Sequence, residues 1–382
     1  MRFLRFLGLC LAFGGLVPVA TTQILDTPAE YAVIMDFETG EILYSKNGEE
    51  PMIPASMTKM MTAHVVFDRL ERGEITLDDT FTVSENAWRK GGWATGGSTM
   101  GLKIGEQVSV EDLLRGVIVL SGNDACIVLA EGLSGSEEAF AREMTALAQS
   151  MGLTSASFKN ASGLDAEGHR ISAADLARLA QREISKYPAY YSYYAEPEMT
   201  WNGITQQNRN PLLGRMQGAD GLKTGHLSVS GFGLTASAVR DGERRILVIN
   251  GLESRADRAR EAERLMRLAF TAFESRAVTN PDKRLADLDV WMGAQRTVGV
   301  RMAEPLSVIA HKRAFAQGQS EIIYQGPLEA PITAGDEVAT LRVTLDGREP
   351  IEVPLLAMES VKRLDFMGRA IEGLSRMMEG GQ

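Results

Sequence analysis

Three short groups of residues with chemical potential stand in one order along the chain: Ser56-Met57-Thr58-Lys59, Ser121-Gly122-Asn123 and Lys223-Thr224-Gly225. A serine and a lysine three residues apart share one helix face a turn apart, so the Lys59 amine can reach the Ser56 hydroxyl. The amine can accept that proton only when neutral, and burial or a second cation favours the neutral form. Lys223 is the expected second cation. Ser56 follows Pro54-Ala55 and opens an apolar stretch over residues 57–70. Met57, Met60, Met61, His64, Val65, Phe67 and Asp68 suit a helix with one buried stripe, and Pro54 suits its first turn. Ser56 then sits near a helix N-terminus, where the local field favours an alkoxide and a developing oxyanion.

Ser121-Gly122-Asn123 lies between the apolar residues 117–120 and 125–130. Polar side chains there must be satisfied or they cost stability. They can relay a proton and bind Lys59 and a substrate amide, or they can cap a helix. Lys223-Thr224-Gly225 precedes a strand-like run over residues 231–239. A lysine and a hydroxyl at a strand edge can grip a carboxylate, and Gly225 leaves room for a close backbone. Alone, the first motif is as readily a surface pair and the last a turn. The ordered set describes one acyl-transfer site.

With these residues in view, the chain resembles the serine D-alanyl-D-alanine carboxypeptidases, the low-molecular-mass penicillin-binding proteins. Residues 121–126, Asn208-Arg209-Asn210, Gly221-Leu-Lys-Thr-Gly-His226 and Asp36-Phe-Glu-Thr-Gly40 carry the likeness, which spans roughly residues 26–375. The resemblance implies a penicillin-binding, β-lactamase-like transpeptidase fold of the α+β class, a small β-sandwich domain and a C-terminal amphipathic helix. It implies removal of the terminal D-alanine from peptidoglycan stem peptides, with Ser56 as nucleophile and Lys59 as base. Ser121 and Asn123 would assist proton transfer and binding. Lys223 and Thr224 would hold the carboxylate, supported by Arg209 and Arg258. The N–H groups of Ser56 and His226 would form the oxyanion hole. β-Lactams would acylate Ser56 and leave slowly, because no Glu-x-x-Leu-Asn segment follows Asn123 to supply a deacylating carboxylate. Leu227 stands where the family often has Thr, which bears on substrate side-chain contacts. The alternatives are a D,D-endopeptidase cutting cross-links, a slow β-lactamase and a non-catalytic penicillin-binding scaffold. Intact Ser56, Lys59 and Lys223 weigh against the scaffold.

Composition narrows the partners. The 382 residues suffice for two domains, and 44% hydrophobic residues suit a globular chain. A net charge of −10 argues against nucleic-acid binding. No His-Glu-x-x-His or similar spacing links His64, His169, His226 and His311, so no metal or other cofactor is expected, and only His226 is placed at the site. Residues 1–20 read as a secretory signal, with Arg2 and Arg5 ahead of an apolar core over residues 6–19. Its removal leaves Cys126 alone, which reads as a small buried helix residue rather than a catalytic thiol. The expected location is the periplasm, on the outer face of the cytoplasmic membrane.

The elements that must position the site follow from turn and cap signals. Residues 31–36 and 42–44 flank Thr39-Gly40, and residues 232–240 and 245–250 flank Asp241-Gly242, giving two hairpins. Ser109 and Ser172 read as helix starts, residues 137–151 as an amphipathic helix, and residues 256–273 as the helix closing a catalytic domain over residues 26–275. Residues 279–282 mark a boundary. Residues 280–357 read as a β-rich accessory domain, with strands near 288–292, 297–301 and 321–324 and a hairpin at Asp346-Gly347. Residues 359–380 place Val361, Leu364, Met367, Ile371, Leu374 and Met378 at helical spacing; the resemblance implies an anchor lying on the membrane surface, and the alternative is a tail packed on a partner or on the chain itself.

Overall fold

The computed structural model describes residues 3–8, 25–279, 282–346, 349–368 and 370. The chain forms two compact units, Thr22–Thr271 and a second made of Met1–Thr21 with Ala272–Gln382.

The larger unit is built on a five-stranded antiparallel sheet. Its strands are β1 (Tyr31–Asp36), β2 (Ile42–Lys46), β3 (Ala219–Leu227), β4 (Gly231–Arg240) and β5 (Glu243–Leu252), in the spatial order β3-β4-β5-β1-β2. Both expected hairpins are present. Asp241 and Gly242 both have positive φ, 53° and 84°, which matches the twist of a two-residue hairpin turn. Chain-distant β1 and β5 pair at the centre, with Val33 opposite Val248. Val33, Met35, Ile246 and Val248 join the large core, while the alternate residues Ile34, Leu247 and Ile249 are buried on the other face.

The helices that matter for the site are α1 (Lys59–Glu71), α2 (Val110–Ile118), α3 (Asn123–Ser134), α4 (Glu137–Ser150), α5 (Ala173–Lys186) and α6 (Arg255–Thr271). Ser109 and Ser172 cap α2 and α5 by accepting from the Asp112 and Asp175 N–H groups, each at 3.1 Å. Helix α1 departs from the expected single buried stripe: every residue from Lys59 to Phe67 is buried. It runs through the middle of the unit, packed by α2, α4, α5 and β3. Of its buried polar residues, Thr62 donates to the Ala161 carbonyl at 2.6 Å, whereas His64 Nδ1 has no hydrogen-bond partner among the described residues.

The second unit begins earlier than the composition change at residue 279 suggests. Phe273–Thr279 is a strand paired with Leu306–His311, so the closing helix stops at Thr271. Among the described residues the unit also forms a seven-stranded sheet that includes Ala286–Trp291, Thr297–Met302, Gln319–Gly326, Glu337–Thr344 and Ile351–Ala357. The last two pair as the expected third hairpin, although Gly347 in its turn lies outside the described residues. Phe3–Gly8 runs antiparallel along Gln319–Gly326. Residues 9–24, most of the expected leader, lie outside the described residues.

The expected helix over residues 359–380 is not continuous. Val361 is fully buried in the second unit's core and bridges to Ile332, and Arg363 bridges to Gly293. Helical backbone begins only at Phe366, and residues 371–382 lie outside the described residues.

Candidate active site

Ser56 sits in a single 3₁₀ turn, Ala55–Thr58, that runs directly into α1. Ala55 has φ of 49°, a left-handed conformation unusual for a residue with a side chain. Such strain persists only where the surroundings over-determine it. Here β3 presses on the turn: a Cβ on Gly225 would lie 2.6 Å from the Pro54 carbonyl oxygen. A Cβ on Gly163 would lie 1.9 Å from the Ala55 carbonyl oxygen. Gly225 therefore serves the packing of the nucleophile turn as well as lining the cavity.

Lys59 is completely buried, one turn beyond Ser56. Its Nζ lies 3.0 Å from Ser56 Oγ, 2.8 Å from Asn123 Oδ1 and 2.6 Å from the Ser162 carbonyl oxygen. The last two atoms can only accept. A neutral amine must therefore direct both protons to Asn123 and Ser162, which turns its lone pair toward the Ser56 hydroxyl. Burial first, and the Arg209 charge second among the lowering influences, bring the Lys59 pKa down to about 8. The sequence reading gave the second influence to Lys223. Lys223 is itself buried, and burial together with the Lys59 charge holds it well below the usual lysine range.

Asn123 is the first residue of α3, whose cap is Gly122, so neither Ser121 nor Asn123 caps the helix. The Asn123 side chain is left for Lys59. Ser121 has φ of 59° and lines the same cavity. Asp124, to which sequence reasoning gave no role, is fully buried and accepts from the N–H groups of Met100, Gly101 and Leu102 and from the Thr99 hydroxyl. It fixes the loop whose residues Gly96, Gly97 and Ser98 form part of the cleft wall. Ser162 was also missed because it acts through a carbonyl, which any residue has. The only signal was Asn160-Ala-Ser-Gly163: the Asn160 side chain accepts from Gly163 N–H at 2.7 Å, shaping the turn.

These parts surround a cavity of about 750 Å³ lined by Ser56, Ser121, Asn123, Thr224, Gly225 and His226 among others. Lys223 lies beneath, 3% exposed. Thr224 pairs with Leu234 across β4, and Asn210 donates to the Gly221 carbonyl at 2.7 Å, holding β3. His226 stacks on Phe232, ring centres 3.8 Å apart. Arg209 reaches Ser98 across the cleft. Arg258 is buried over the Phe232 ring, its pKa lowered to about 10 by burial and then by Arg255 and Arg209. The structure thus brings Ser56, Ser121, Asn123, Thr224, Gly225, His226, Arg209 and Arg258 to one cavity wall, with Lys59 and Lys223 behind it. No Asp or Glu lines it among the described residues. Cys126 is buried, its thiol pushed up to about 12 by burial. No group of three or more His, Cys, Asp or Glu among the described residues could hold a metal ion.

Residues 18–254 match the family model for D-alanyl-D-alanine carboxypeptidases, more than half of the chain. The chain belongs to that family. Residues 273–363 match the C-terminal domain of penicillin-binding protein 5. As a carboxypeptidase-family member it is 37% identical to D-alanyl-D-alanine carboxypeptidase DacC of Escherichia coli K12, over 92% of this chain and 89% of the relative. DacD of the same organism is 38% identical over 86% of each chain. The crystal structure of DacD from Francisella tularensis aligns with a TM-score of 0.78 and 29% identity, covering 92% of this chain and 99% of that one. Penicillin-binding protein 5 from Haemophilus influenzae aligns at 0.70 and 33%, covering 90% and 100%. The penicillin-binding fold with a C-terminal β domain is the fold of this protein.

Proposed function

We propose that the protein is a serine D-Ala-D-Ala carboxypeptidase that trims peptidoglycan stem peptides through an acyl-enzyme at Ser56. The observation that carries this is the pair of fixed acceptors on Lys59, which leaves the neutral amine one direction for its lone pair, toward Ser56 Oγ. Lys59 takes the hydroxyl proton as Ser56 attacks the carbonyl of the penultimate D-alanine. The oxyanion meets the Ser56 and His226 N–H groups. The proton passes to the departing amine by way of Ser121, and terminal D-alanine leaves. Lys223 and Thr224 hold its carboxylate, backed by Arg209 and Arg258. Water then cleaves the ester. β-Lactams enter the same reaction. A family relative, penicillin-binding protein D2 of Listeria monocytogenes, has been solved in ampicillin-bound and cefotaxime-bound forms. With no carboxylate among the described residues lining the cavity to activate water, the penicilloyl ester here is long-lived.

Free D-alanine released from an acyl-Lys-D-Ala-D-Ala peptide tests the reading. Release by the wild type and none by Ser56→Ala is expected. No release from a protein that penicillin still acylates would turn the reading toward cross-link cleavage or a scaffold. We also assign the chain to the periplasm, lying on the outer face of the cytoplasmic membrane through its last residues. Residues 359–364 carry two bridges to the second unit, so the tail to delete begins at Phe366. Loss of the membrane-bound fraction on that deletion is expected; an unchanged fraction rules the anchor out.

A further inference from the structure

Beside the catalytic cavity lies a second one of about 510 Å³. Arg209, Arg215, Arg255 and Arg258 line it, and no carboxylate does. Arg209, Arg255 and Arg258 also line the catalytic cavity, so the two share a wall. The imbalance is local. On the same helix, Arg260, Arg264 and Arg267 each have an acidic partner three or four residues away: Asp257, Glu261 and Glu263. Arg255, one turn before Arg258, has no ion pair among the described residues, and neither do Arg215 and Arg258. The Arg258 side chain is 4% exposed, and its Nε meets no hydrogen-bond acceptor. A buried guanidinium N–H without an acceptor costs stability, and the exposed Arg215 and Arg255 add like charge beside it. The chain as a whole carries a net charge of −10, so unpaired arginines gathered at one wall are not a consequence of composition. The terminal carboxylate of a D-Ala-D-Ala peptide brings one negative charge to a region that already holds Lys223 as well as these arginines.

We propose that the arginine cavity is an anion subsite for a second carboxylate, carried by the leaving residue, so that the enzyme favours a leaving D-residue with an acidic side chain. This deepens the carboxypeptidase reading and rests on it. Arg255 and Arg215 supply the charge-assisted hydrogen bonds to the added carboxylate, and Arg258 bridges the two cavities. Arginine suits this role because its planar fork meets a carboxylate with two parallel bonds.

The test uses the full chain and two peptides, acyl-Lys-D-Ala-D-Ala and acyl-Lys-D-Ala-D-Glu, with release of the terminal residue as readout. The wild type is expected to cleave the D-Glu peptide with kcat/KM at least equal to that for the D-Ala peptide. Arg255→Gln should lower the ratio of D-Glu to D-Ala cleavage about tenfold, the size of one charge-assisted hydrogen bond, and Arg215→Gln should lower it less. A wild type that favours D-Ala by tenfold or more overturns the proposal, as does a ratio unmoved by either variant. If neither peptide is cleaved, the carboxypeptidase reading itself fails, and competition against penicillin decides the subsite. A D-Glu peptide that slows Ser56 acylation more than the D-Ala peptide does in the wild type, but not in Arg255→Gln, upholds it. Equal competition overturns it.

Discussion

Helix α1 buries two ionisable side chains to the same degree, one at its first residue and one near its middle, and uses them differently. At one end Lys59 is inaccessible, with its pKa lowered to about 8. Five residues on, His64 is 1% exposed, and burial lowers its pKa to about 3. Its neighbour Glu183, from α5, is fully buried, and burial raises its pKa well above the carboxylate range. Both places are therefore perturbed. Lys59, however, meets Ser56, Asn123 and Ser162 within 3.0 Å and backs onto an open cavity. His64 Nδ1 stays 3.9 Å from Glu183 Oε1, and neither atom has a hydrogen-bond partner; nor does the nearby Tyr194 hydroxyl. No residue of this second group lines the catalytic cavity. Perturbed pKa values alone mark burial. They mark chemistry when the perturbed group is aimed at a nucleophile and at space for a substrate.

The sharpest way to break this contrast is to remove the nucleophile. Ser56→Ala should lower D-alanine release by at least about 10³-fold and abolish covalent labelling by penicillin, since among the hydroxyls lining the cavity only that of Ser56 is in hydrogen-bond contact with the Lys59 amine among the described residues. Intact-mass measurement after penicillin treatment checks it. Lys59→Met removes the base while keeping a similar shape, and should lower kcat/KM by roughly 10²–10⁴-fold. Its melting temperature should change little, because relief of the buried amine's penalty, on the order of 3 kcal/mol, is offset by the Asn123 Oδ1 and Ser162 carbonyl acceptors that lose their donor.

A pH profile sharpens the point. Below a pKa of about 8 the Lys59 amine is protonated and cannot accept the Ser56 proton, so only about a tenth of the enzyme is competent at pH 7. The acylation rate should rise through pH 8 and then level off. A rate flat from pH 6 to 9 would remove Lys59 from the role of base. The smallest effect is expected at the His64–Glu183 group. Glu183→Leu should leave kcat/KM within about twofold and stabilise the fold by about 1 kcal/mol, because burial outweighs what the neighbouring Tyr194 hydroxyl gives the Glu183 carboxyl. A tenfold loss of activity on that substitution, with the fold intact, would show that the His64–Glu183 group reaches the chemistry.

Much of the frame was legible in the chain because its signals are local. The Ser109 and Ser172 caps and the Asp241-Gly242 turn are fixed by residues two or three positions apart. The spacing from Ser56 to Lys59 likewise follows from one helical turn. The reading faltered where the answer depended on what packs from elsewhere. The stripe expected on α1 is a helix buried all round because α2, α4, α5 and β3 enclose it, and none of these is near it in sequence. Val361 carries the helical spacing of the tail but sits in a β core, because Ile332 offers it a bridge.

The sequence by itself determined which groups meet at the candidate site: a hydroxyl, an amine one turn away, a polar loop and a Lys-Thr-Gly strand segment, each encoded in a run of three or four residues. The tertiary structure alone decided the state of that chemistry. Which cation lowers the Lys59 pKa, which carbonyl fixes its lone pair and which arginines stand without a counter-charge all depend on distances between residues far apart in the chain. Burial and Coulomb interaction act through space, so no spacing along the chain could have supplied them.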